Sequence, residues 1–229
     1  KVIIHQYYLG GGFGRRLFGD YIIPAALAAK AIGRPVKMVF TREDDSHFDQ
    51  PRSPSVSHLN ATFDDNNQLV GVEHRFTSGW PTKAMAPGFL APSKDGKKKI
   101  DMFSASGSDH WYSLPNHKVL VYNNDLAQKT FVPGWLRSVG PGWIQWSVES
   151  FMDELAHKSA QDPTQFRLAL LDAQGRQSGS APHSVGGAKR LKNVLEMLAK
   201  KVDTQQSLPK NQGIGIALSF GQERSMPTW

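Results

Sequence analysis

Cysteine is absent from this chain of 229 residues. The chain itself can therefore hold no disulfide, no thiolate metal site and no iron–sulfur cluster. Long apolar runs are missing too, since no stretch approaches the roughly 18 residues that a membrane-spanning helix needs. The longest candidate, residues 21–32, is rich in alanine and contains a proline. We predict a buried helix there and no membrane span.

Patterns typical of several enzyme classes are also missing. The chain has no Gly-x-Ser-x-Gly elbow for acyl transfer and no pair of histidines at the spacing of a zinc protease. Asp44, Asp45 and Asp49 lie near His47 and could bind a cation, but we expect this acidic turn to cap and solvate itself. We therefore assign the chain no catalytic residue and no metal ligand of its own.

Positive charge is in excess: 27 lysines and arginines face 20 acidic residues, which gives a net charge of +7. This balance favours an anionic partner such as nucleic acid, an anionic membrane or a phosphorylated ligand. The densest basic run, residues 94–99, is short and contains no aromatic residue, so we interpret it as a solvated loop. On this basis we do not expect nucleic acid to be the main partner.

Hydrophobic periodicity predicts strands in the first part of the chain, residues 1–142. Asp20 is the predicted N-cap of a helix that ends at Gly33, and the polar tetrad at 64–67 predicts a hairpin. Residues 42–55 are predicted to be a polar connection. The predicted strands are residues 2–8, 36–41, 56–63, 69–79, 102–112, 119–122 and 213–220.

The second part, residues 143–229, is predicted to be mostly helical before that last strand. Apolar side chains repeat at helical spacing over 144–155, and Asp162 followed by Pro163 starts a second helix. A third helix presents Leu191, Val194, Leu195, Leu198 and Val202 on one face, after a flexible linker at 174–187. These elements predict an α+β fold with a mixed, largely antiparallel sheet and packed helices.

The most informative segment is Leu9-Gly-Gly-Gly-Phe13-Gly14-Arg15-Arg16, between a predicted strand and a predicted helix. Glycines leave main-chain N–H groups open to an anion, because no β-carbon intervenes. The helix N-terminus downstream and the guanidinium groups of Arg15 and Arg16 add positive charge suited to phosphate. We predict a cradle for cofactor phosphates. A Rossmann site is disfavoured by the glycine spacing and by the lack of an acidic residue at the end of a second strand.

Several segments, in order along the chain, resemble the large, molybdopterin-binding subunit of the xanthine oxidase and aldehyde oxidase family. Residues 10–16 resemble its molybdopterin loop, and residues 33–45 the strand and acidic turn that follow. Residues 135–140, Trp-Leu-Arg-Ser-Val-Gly, resemble its second cofactor-contacting loop, and residues 149–156 with 162–167 the helical stretch after it. The double arginine and the Arg-Ser-Val-Gly sequence are similar to the bacterial branch typified by isoquinoline 1-oxidoreductase and related aldehyde dehydrogenases.

The resemblance implies a molybdenum cofactor-binding-domain-like fold and a cofactor, molybdenum on molybdopterin cytosine dinucleotide. It also implies oxidation of an aldehyde or an N-heterocycle, with oxygen taken from water and electrons leaving through a separate small [2Fe-2S] subunit. Gly11, Gly12, Phe13 and Gly14 would present main-chain groups to the cofactor. Arg137 would contact the cofactor or orient the substrate. For the full-length protein we expect a periplasmic location, with the cytoplasm as alternative, although this chain shows no signal segment.

The chain also departs from that family. The glutamate that serves as base near the end of the family subunit has no counterpart, since the neighbours of Glu223 differ from that motif. The family subunit is much longer, and strand-like sequences at both ends here favour a chain cut from a larger one. We therefore expect a fragment that packs against the remainder of the large subunit and has no activity alone.

Two other interpretations stay open. The chain could be a stand-alone module that binds a nucleotide or nucleic acid through the same loop and its basic surface. It could also be a structural domain in which the glycine loop is only a tight turn. The tryptophans around Arg137, at positions 135, 143 and 146, could line a substrate funnel, but we favour packing beneath the loop.

Overall fold

The computed structural model describes residues 1–93, 95–108, 110–172, 187–202 and 206–219. Short 3-10 turns lie at Arg15–Leu17 and Pro87–Phe89. The strands are β1 (Ser55–Phe63), β2 (Leu69–Ser78), β3 (Ala91–Pro92), β4 (Lys99–Ile100) and β5 (His117–Asn123). The helices are α1 (Ile22–Ile32), α2 (Arg42–Phe48), α3 (Pro81–Met85), α4 (Met102–Ala105), α5 (Asp125–Thr130), α6 (Pro141–Lys158), α7 (Pro163–Leu170) and α8 (Ala188–Ala199).

The main sheet has the strand order β1-β2-β5. β1 and β2 form the predicted antiparallel hairpin, in which Asp64 Oδ1 accepts from the N–H groups of Asn66 and Gln68 and Asn67 takes a left-handed φ of 59°. β5 then pairs with β2 in parallel. β3 and β4 form a separate antiparallel pair. The predicted mixed, largely antiparallel sheet with packed helices is confirmed.

One face of this sheet is buried. Side chains alternate along β2, so that Val72, His74 and Phe76 point into the core while their neighbours are more exposed. Helix α6 supplies the opposite wall with Ile144 and Met152. Each such apolar side chain contributes about 1.5–3 kcal/mol when it leaves water. The sheet and α6 therefore form the structural centre of the molecule.

The helices of the last third follow local signals. Pro141 occupies the first turn of α6, and Asp162 caps α7 by accepting from the N–H groups of Thr164 and Gln165 at 3.0 and 2.9 Å. Leu191 and Leu195 of α8 are buried as predicted. On the same predicted face, however, Val194, Leu198 and Val202 are 55%, 43% and 37% exposed.

A buried polar network joins these helices. The guanidinium of Arg167, which is fully buried, donates to Glu149 Oε2 at 2.9 Å and to Asp153 Oδ1 at 2.7 Å. Tyr112 Oη donates to the other oxygen of Glu149 at 2.8 Å, and Leu218 N donates to Glu149 Oε2 at 2.9 Å. Burial lowers the pKa of Arg167, but the charge of Glu149 and the carboxylate hydrogen bonds raise it above its ordinary value overall. The network ties α6 and α7 to the segment around Leu218.

Histidines form a second polar group in the core. His74 and His110 are almost fully buried, and the rings of His110 and His117 lie 4.7 Å apart. Burial lowers the pKa of His74 to about 4 and that of His110 to about 3, and neighbouring histidines add to both shifts. Both side chains are therefore neutral at physiological pH.

Several predicted strands are wrong. Residues 2–8, 36–41 and 213–219 form no strand, and Val2 and Ile3 are 68% and 69% exposed. A strand needs a neighbour to accept its main-chain hydrogen bonds, and none lies beside these segments in the described structure. The predicted strand 102–112 is also wrong, because Asp101 caps the short helix α4 there.

Predictions for the first helix were partly wrong. Tyr21, not Asp20, occupies the N-cap position of α1, and no residue of α1 is buried; Leu27 is 62% exposed. Gly33 ends the helix as predicted, with a left-handed φ of 66°. Residues 42–48, predicted as part of a polar connection, form α2. The predicted linker falls largely on 174–186, which lie outside the described residues, as do Phe220 and Glu223. No helix in the described ranges is long and apolar enough to cross a membrane.

Candidate cofactor site

Two loops meet at the predicted site. We call residues 10–14 the glycine loop and residues 135–140 the arginine loop. The N–H of Arg137 donates to the carbonyl of Phe13 at 2.9 Å. Gly14 lies against the main chain of Trp135, so that a β-carbon at residue 14 would be 1.2 Å from the carbonyl oxygen of Trp135. The φ of 85° at Gly14 also favours glycine. The structure therefore brings together the two segments that sequence analysis assigned to one cofactor.

The glycine loop leaves its main-chain donors open. The N–H groups of Gly11, Gly12, Phe13 and Gly14 make no hydrogen bond within the described part of the chain. A β-carbon built on Gly12 would meet nothing within 4 Å. Phe13 takes a left-handed φ of 49°, which turns the chain within the loop. Successive unpaired N–H groups in such a turn are the donors of a main-chain anion site.

Arg137 supplies a positive charge beside these donors. Its guanidinium carbon lies 5.7 Å from the centre of the Phe13 ring, and its side chain is exposed. Among the described residues no carboxylate lies within ion-pair distance of it. Of the nearby tryptophans, Trp143 is buried as packing predicts, whereas Trp146 is 75% exposed. Arg137 is therefore available to an anionic ligand.

Arg15, unlike Arg137, is paired with acidic side chains in the described structure. It is buried and forms ion pairs with Asp20, with Asp49 at 3.3 Å and with Asp45 at 3.7 Å. Burial lowers the pKa of Arg15, but the Asp20 hydrogen bond and the surrounding carboxylate charges raise it overall. Three carboxylates balance its charge, so its predicted contact with phosphate stays a prediction.

The acidic turn contributes to this arrangement. Thr41 Oγ1 accepts from the N–H of Asp44 at 3.1 Å, and the Asp44 carboxylate accepts from the N–H of Thr41. This capping box confirms that Asp44 caps its own helix, α2. Asp45 and Asp49 face Arg15 instead. In the described structure the cations beside these two carboxylates are guanidinium groups, that of Arg15 and, at Asp45, also that of Arg42.

Arg52 was not predicted from the sequence as a residue of this site. Its guanidinium donates to the carbonyl of Arg137 at 2.8 Å and to that of Val139 at 3.0 Å. Ser138 and Val139 have left-handed φ angles of 73° and 50°, which cost on the order of 1–3 kcal/mol each in residues other than glycine. Arg52 lies in a polar connection with no recognisable motif, so only the folded arrangement could reveal it.

Buried polar groups support the arginine loop from beneath. The N–H of Gly140 donates to the carbonyl of Phe103 at 3.1 Å. The indole N–H of Trp135 donates to Thr82 Oγ1 at 3.1 Å, and that hydroxyl donates to the buried Asp101 at 2.6 Å. The loop is therefore held on a fixed platform, as a binding site requires.

A family comparison explains why the two loops come together. The family model described as "Molybdopterin cofactor-binding domain" matches residues 1–171 of this chain. The chain belongs to this family. The match spans both loops and continues through α6 and α7, so the division predicted at residue 142 stays a prediction. The open amides and the unpaired Arg137 fit the anionic group that gives this family its name.

The chain is also similar to parts of two larger proteins. The chain is 53% identical over 231 residues to the "Membrane-bound aldehyde dehydrogenase (pyrroloquinoline-quinone)" of Gluconacetobacter polyoxogenes. This alignment covers 100% of this chain and 30% of that protein. It is 25% identical to the isoquinoline 1-oxidoreductase subunit beta of Brevundimonas diminuta, over 96% of this chain and 26% of that subunit. The chain thus spans less than a third of the length of these relatives, in agreement with the expected fragment.

Solved structures show the same fold. The aldehyde oxidoreductase of Desulfovibrio gigas aligns with a TM-score of 0.55 at 20% identity, over 84% of this chain and 20% of that one. The quinoline 2-oxidoreductase of Pseudomonas putida 86 aligns with a TM-score of 0.54 at 16% identity, over 84% of this chain and 25% of that one. At these identities the likeness concerns the fold.

Proposed function

We propose that the chain is the part of a molybdenum hydroxylase subunit that supplies cofactor-binding loops, in an enzyme that oxidises an aldehyde or an N-heterocycle with water. The observation that carries this proposal is the open row of main-chain donors at Gly11–Gly14 beside the unpaired guanidinium of Arg137. Amide donors and a guanidinium are the groups that recognise phosphate. The family match supports a molybdopterin group as their ligand.

The residues of the two loops have different proposed roles in binding the cofactor. The amides of Gly11, Gly12, Phe13 and Gly14 bind the anionic part of the cofactor, which we take to be the cytosine dinucleotide form. Arg137 binds the same anion or orients the substrate. When bound, the molybdenum group supplies the redox chemistry. Arg15 contributes to cofactor binding only if it exchanges one of its carboxylate partners for phosphate. We assign no residue of this chain as the catalytic base.

The exposed apolar side chains of residues 1–50 support a further part of the proposal. Val2, Ile3, Ile23 and Leu27 are each about three-fifths or more exposed, which is costly for a surface that stays in contact with water. We propose that the remainder of the large subunit covers them. The small [2Fe-2S] subunit is then the electron-accepting partner, and a periplasmic location for the full-length protein remains part of the proposal.

The first experiment replaces Gly12 with alanine in the full-length protein. The new methyl group enters open space, so we expect an unchanged melting temperature, but it stands among the donors and should lower molybdenum content several-fold. Gly213→Ala is the matched control, since its β-carbon would also meet nothing within 4 Å and lies far along the chain from the loop. Metal analysis by mass spectrometry and pterin analysis of the released cofactor provide the readout.

Two outcomes would contradict the proposal. The first is full molybdenum content in the Gly12→Ala protein. The second is a purified protein that contains a quinone and no molybdenum, as the name of the Gluconacetobacter relative would lead one to expect. Binding of nucleic acid with an affinity that falls steeply with salt, and no pterin, would instead favour the stand-alone binding module.

A further inference from the structure

Arg52 makes an unusual set of contacts. It is half-buried, and both of its contacts at the arginine loop are to carbonyl oxygens, those of Arg137 and Val139. No carboxylate lies within ion-pair distance of it in the described structure. Burial lowers the pKa of Arg52, and no acidic neighbour restores it. A partly desolvated cation without a counterion is costly, which points to a role for it beyond surface charge.

Its two acceptors flank the strained part of the loop. Ser138 and Val139 are both left-handed, and Val139 is β-branched, which makes that conformation especially unfavourable. The carbonyl of Val139 accepts from Arg52 Nη1 and also from the N–H of Gly142 at 3.1 Å. Hydrogen bonds on both sides of Ser138 restrict the main chain to this one conformation.

Gly142 provides the space for the guanidinium. A β-carbon built on Gly142 would lie 1.7 Å from Nη1 of Arg52 and 2.4 Å from its Cζ. Gly142 is in the first turn of α6 and has no left-handed φ, so its backbone would accept alanine. The absence of a side chain at 142 is therefore explained by the position of Arg52 and not by backbone conformation.

The segment around Arg52 is fixed at both ends. The carbonyl of Pro51 accepts from the N–H of Gly134 at 3.2 Å, just before the arginine loop. On the other side, Ser53 Oγ accepts from the N–H of Gly79 at 2.7 Å, immediately after β2. Arg52 thus reaches the loop from a segment that is anchored to the main sheet.

We infer that Arg52, seated against Gly142, is a positioning residue that fixes the arginine loop so that Arg137 points toward the ligand of the glycine loop. The nature of that ligand rests on the function proposed above, whereas the effect on the loop does not. Without Arg52, the main chain at 137–139 relaxes and Arg137 samples several directions. Preorganised supports of this kind determine how well a charged side chain serves its ligand.

The test is a cycle of Arg52→Ala, Gly142→Ala and the double variant in the full-length protein. The main measurement is hydrogen exchange of the amides at 136–140. Each single variant should speed that exchange about tenfold. Loss of a hydrogen bond from a charged donor makes local opening of the loop more favourable by about this factor. The double variant should exchange no faster than Arg52→Ala, since both changes remove the same contact. Arg75→Ala, at an exposed arginine of β2, is the matched control and should leave the loop unchanged.

Chemical rescue separates positioning from general damage. Guanidinium at millimolar concentration should slow loop exchange again in Arg52→Ala, where the site beside Gly142 is vacant. It should fail in the double variant, where the methyl group of residue 142 fills that site. Arg52→Lys keeps the charge but not the two-pronged geometry and should be intermediate.

Unchanged exchange at 136–140 in both single variants would overturn the inference, whatever the cofactor content. Strictly additive effects in the double variant, or equal rescue with alanine at 142, would overturn it as well. If the loop responds as expected while the protein contains no molybdopterin, the positioning role stands and the proposed function fails. The two ideas are therefore tested separately.

Discussion

Residues 1–50 and residues 51–172 are held in place by different forces. All of the first fifty residues are described, and the one buried residue among them is Arg15, a charged side chain surrounded by three carboxylates. In the second region, Phe76, Ile144 and Met152 are at most 1% exposed and form an apolar core. The first region is thus organised by ion pairs and loop docking, and its apolar side chains remain available to a partner.

The two buried arginines of the described structure represent this difference. Arg167 lies in the core and its main partner, Glu149, is nearly as buried. The partners of Arg15 are 20–30% exposed, so water screens those ion pairs. The same residue type therefore stabilises the two regions to different extents. Four predictions test the comparison.

Among the single substitutions, the largest effect is expected from Arg167→Met. It leaves Glu149 as a buried carboxylate without its cation, which costs about 3–5 kcal/mol of the free energy of unfolding. Urea unfolding followed by circular dichroism measures this loss. Arg75→Met, at an arginine whose side chain is 52% exposed, should change it by about 0.5 kcal/mol or less. Equal losses for the two variants would contradict the larger contribution assigned to a buried arginine.

Acidification should also weaken the second region. The folded-state pKa values of His74 and His110 are lowered to about 4 and about 3, below the ordinary value of 6.5. Below pH 6.5 the unfolded chain therefore binds protons that the folded chain does not. Stability should fall by about 1.4 kcal/mol per pH unit for each histidine as pH drops from 6.5 toward 4, and neither contributes above pH 7. Unfolding curves at several pH values test this, and His110→Phe should reduce the slope.

Arg15→Met should have a smaller, local effect. Loss of its charged hydrogen bond costs about 1.5–3 kcal/mol, and this should be confined to residues 1–50, because their contact with the core is limited. Hydrogen exchange should accelerate at 15–50 and stay unchanged in α6. Acceleration throughout the chain would show that the two regions unfold as one unit.

The smallest effect is expected from Leu27→Gln on the exposed face of α1. In this chain alone the free energy of unfolding should change by about 0.5 kcal/mol or less, because Leu27 is 62% exposed. In the full-length protein the same change should cost more, since we propose that the remainder of the subunit covers this face. Differential scanning calorimetry of both proteins makes the comparison, and equal small effects in both would argue against a covered surface.

Local patterns predicted several elements of the second region. Helices α6 and α7 and the hairpin of β1 and β2 all follow from periodicity, capping residues and a polar turn, which act over a few residues. The glycine loop and Arg137 were identified from their motifs, and the structure places them side by side. These features are encoded within short stretches of sequence.

Features that depend on distant partners were not predictable. Residues 2–8 have strand-like composition, but a strand exists only where another strand accepts its hydrogen bonds. Arg15 and Arg137 look alike in sequence, and only the fold places three carboxylates around the first and, among the described residues, none beside the second. The role of Arg52 depends on the missing side chain at Gly142, ninety positions away along the chain.

The parallel pairing of β2 with β5 has a consequence for how the chain folds. β2 can pair with β1 as soon as both strands have been synthesised, because a short turn joins them. The other edge of β2 can pair with β5 only after the segment from Gly79 to Asn116 has been synthesised and has brought β5 back to the sheet. Until then the unsatisfied edge of β2 is open to incorrect pairing with other nascent chains. Aggregation during synthesis should therefore begin at this edge, and conditions that slow the return of β5 should increase it.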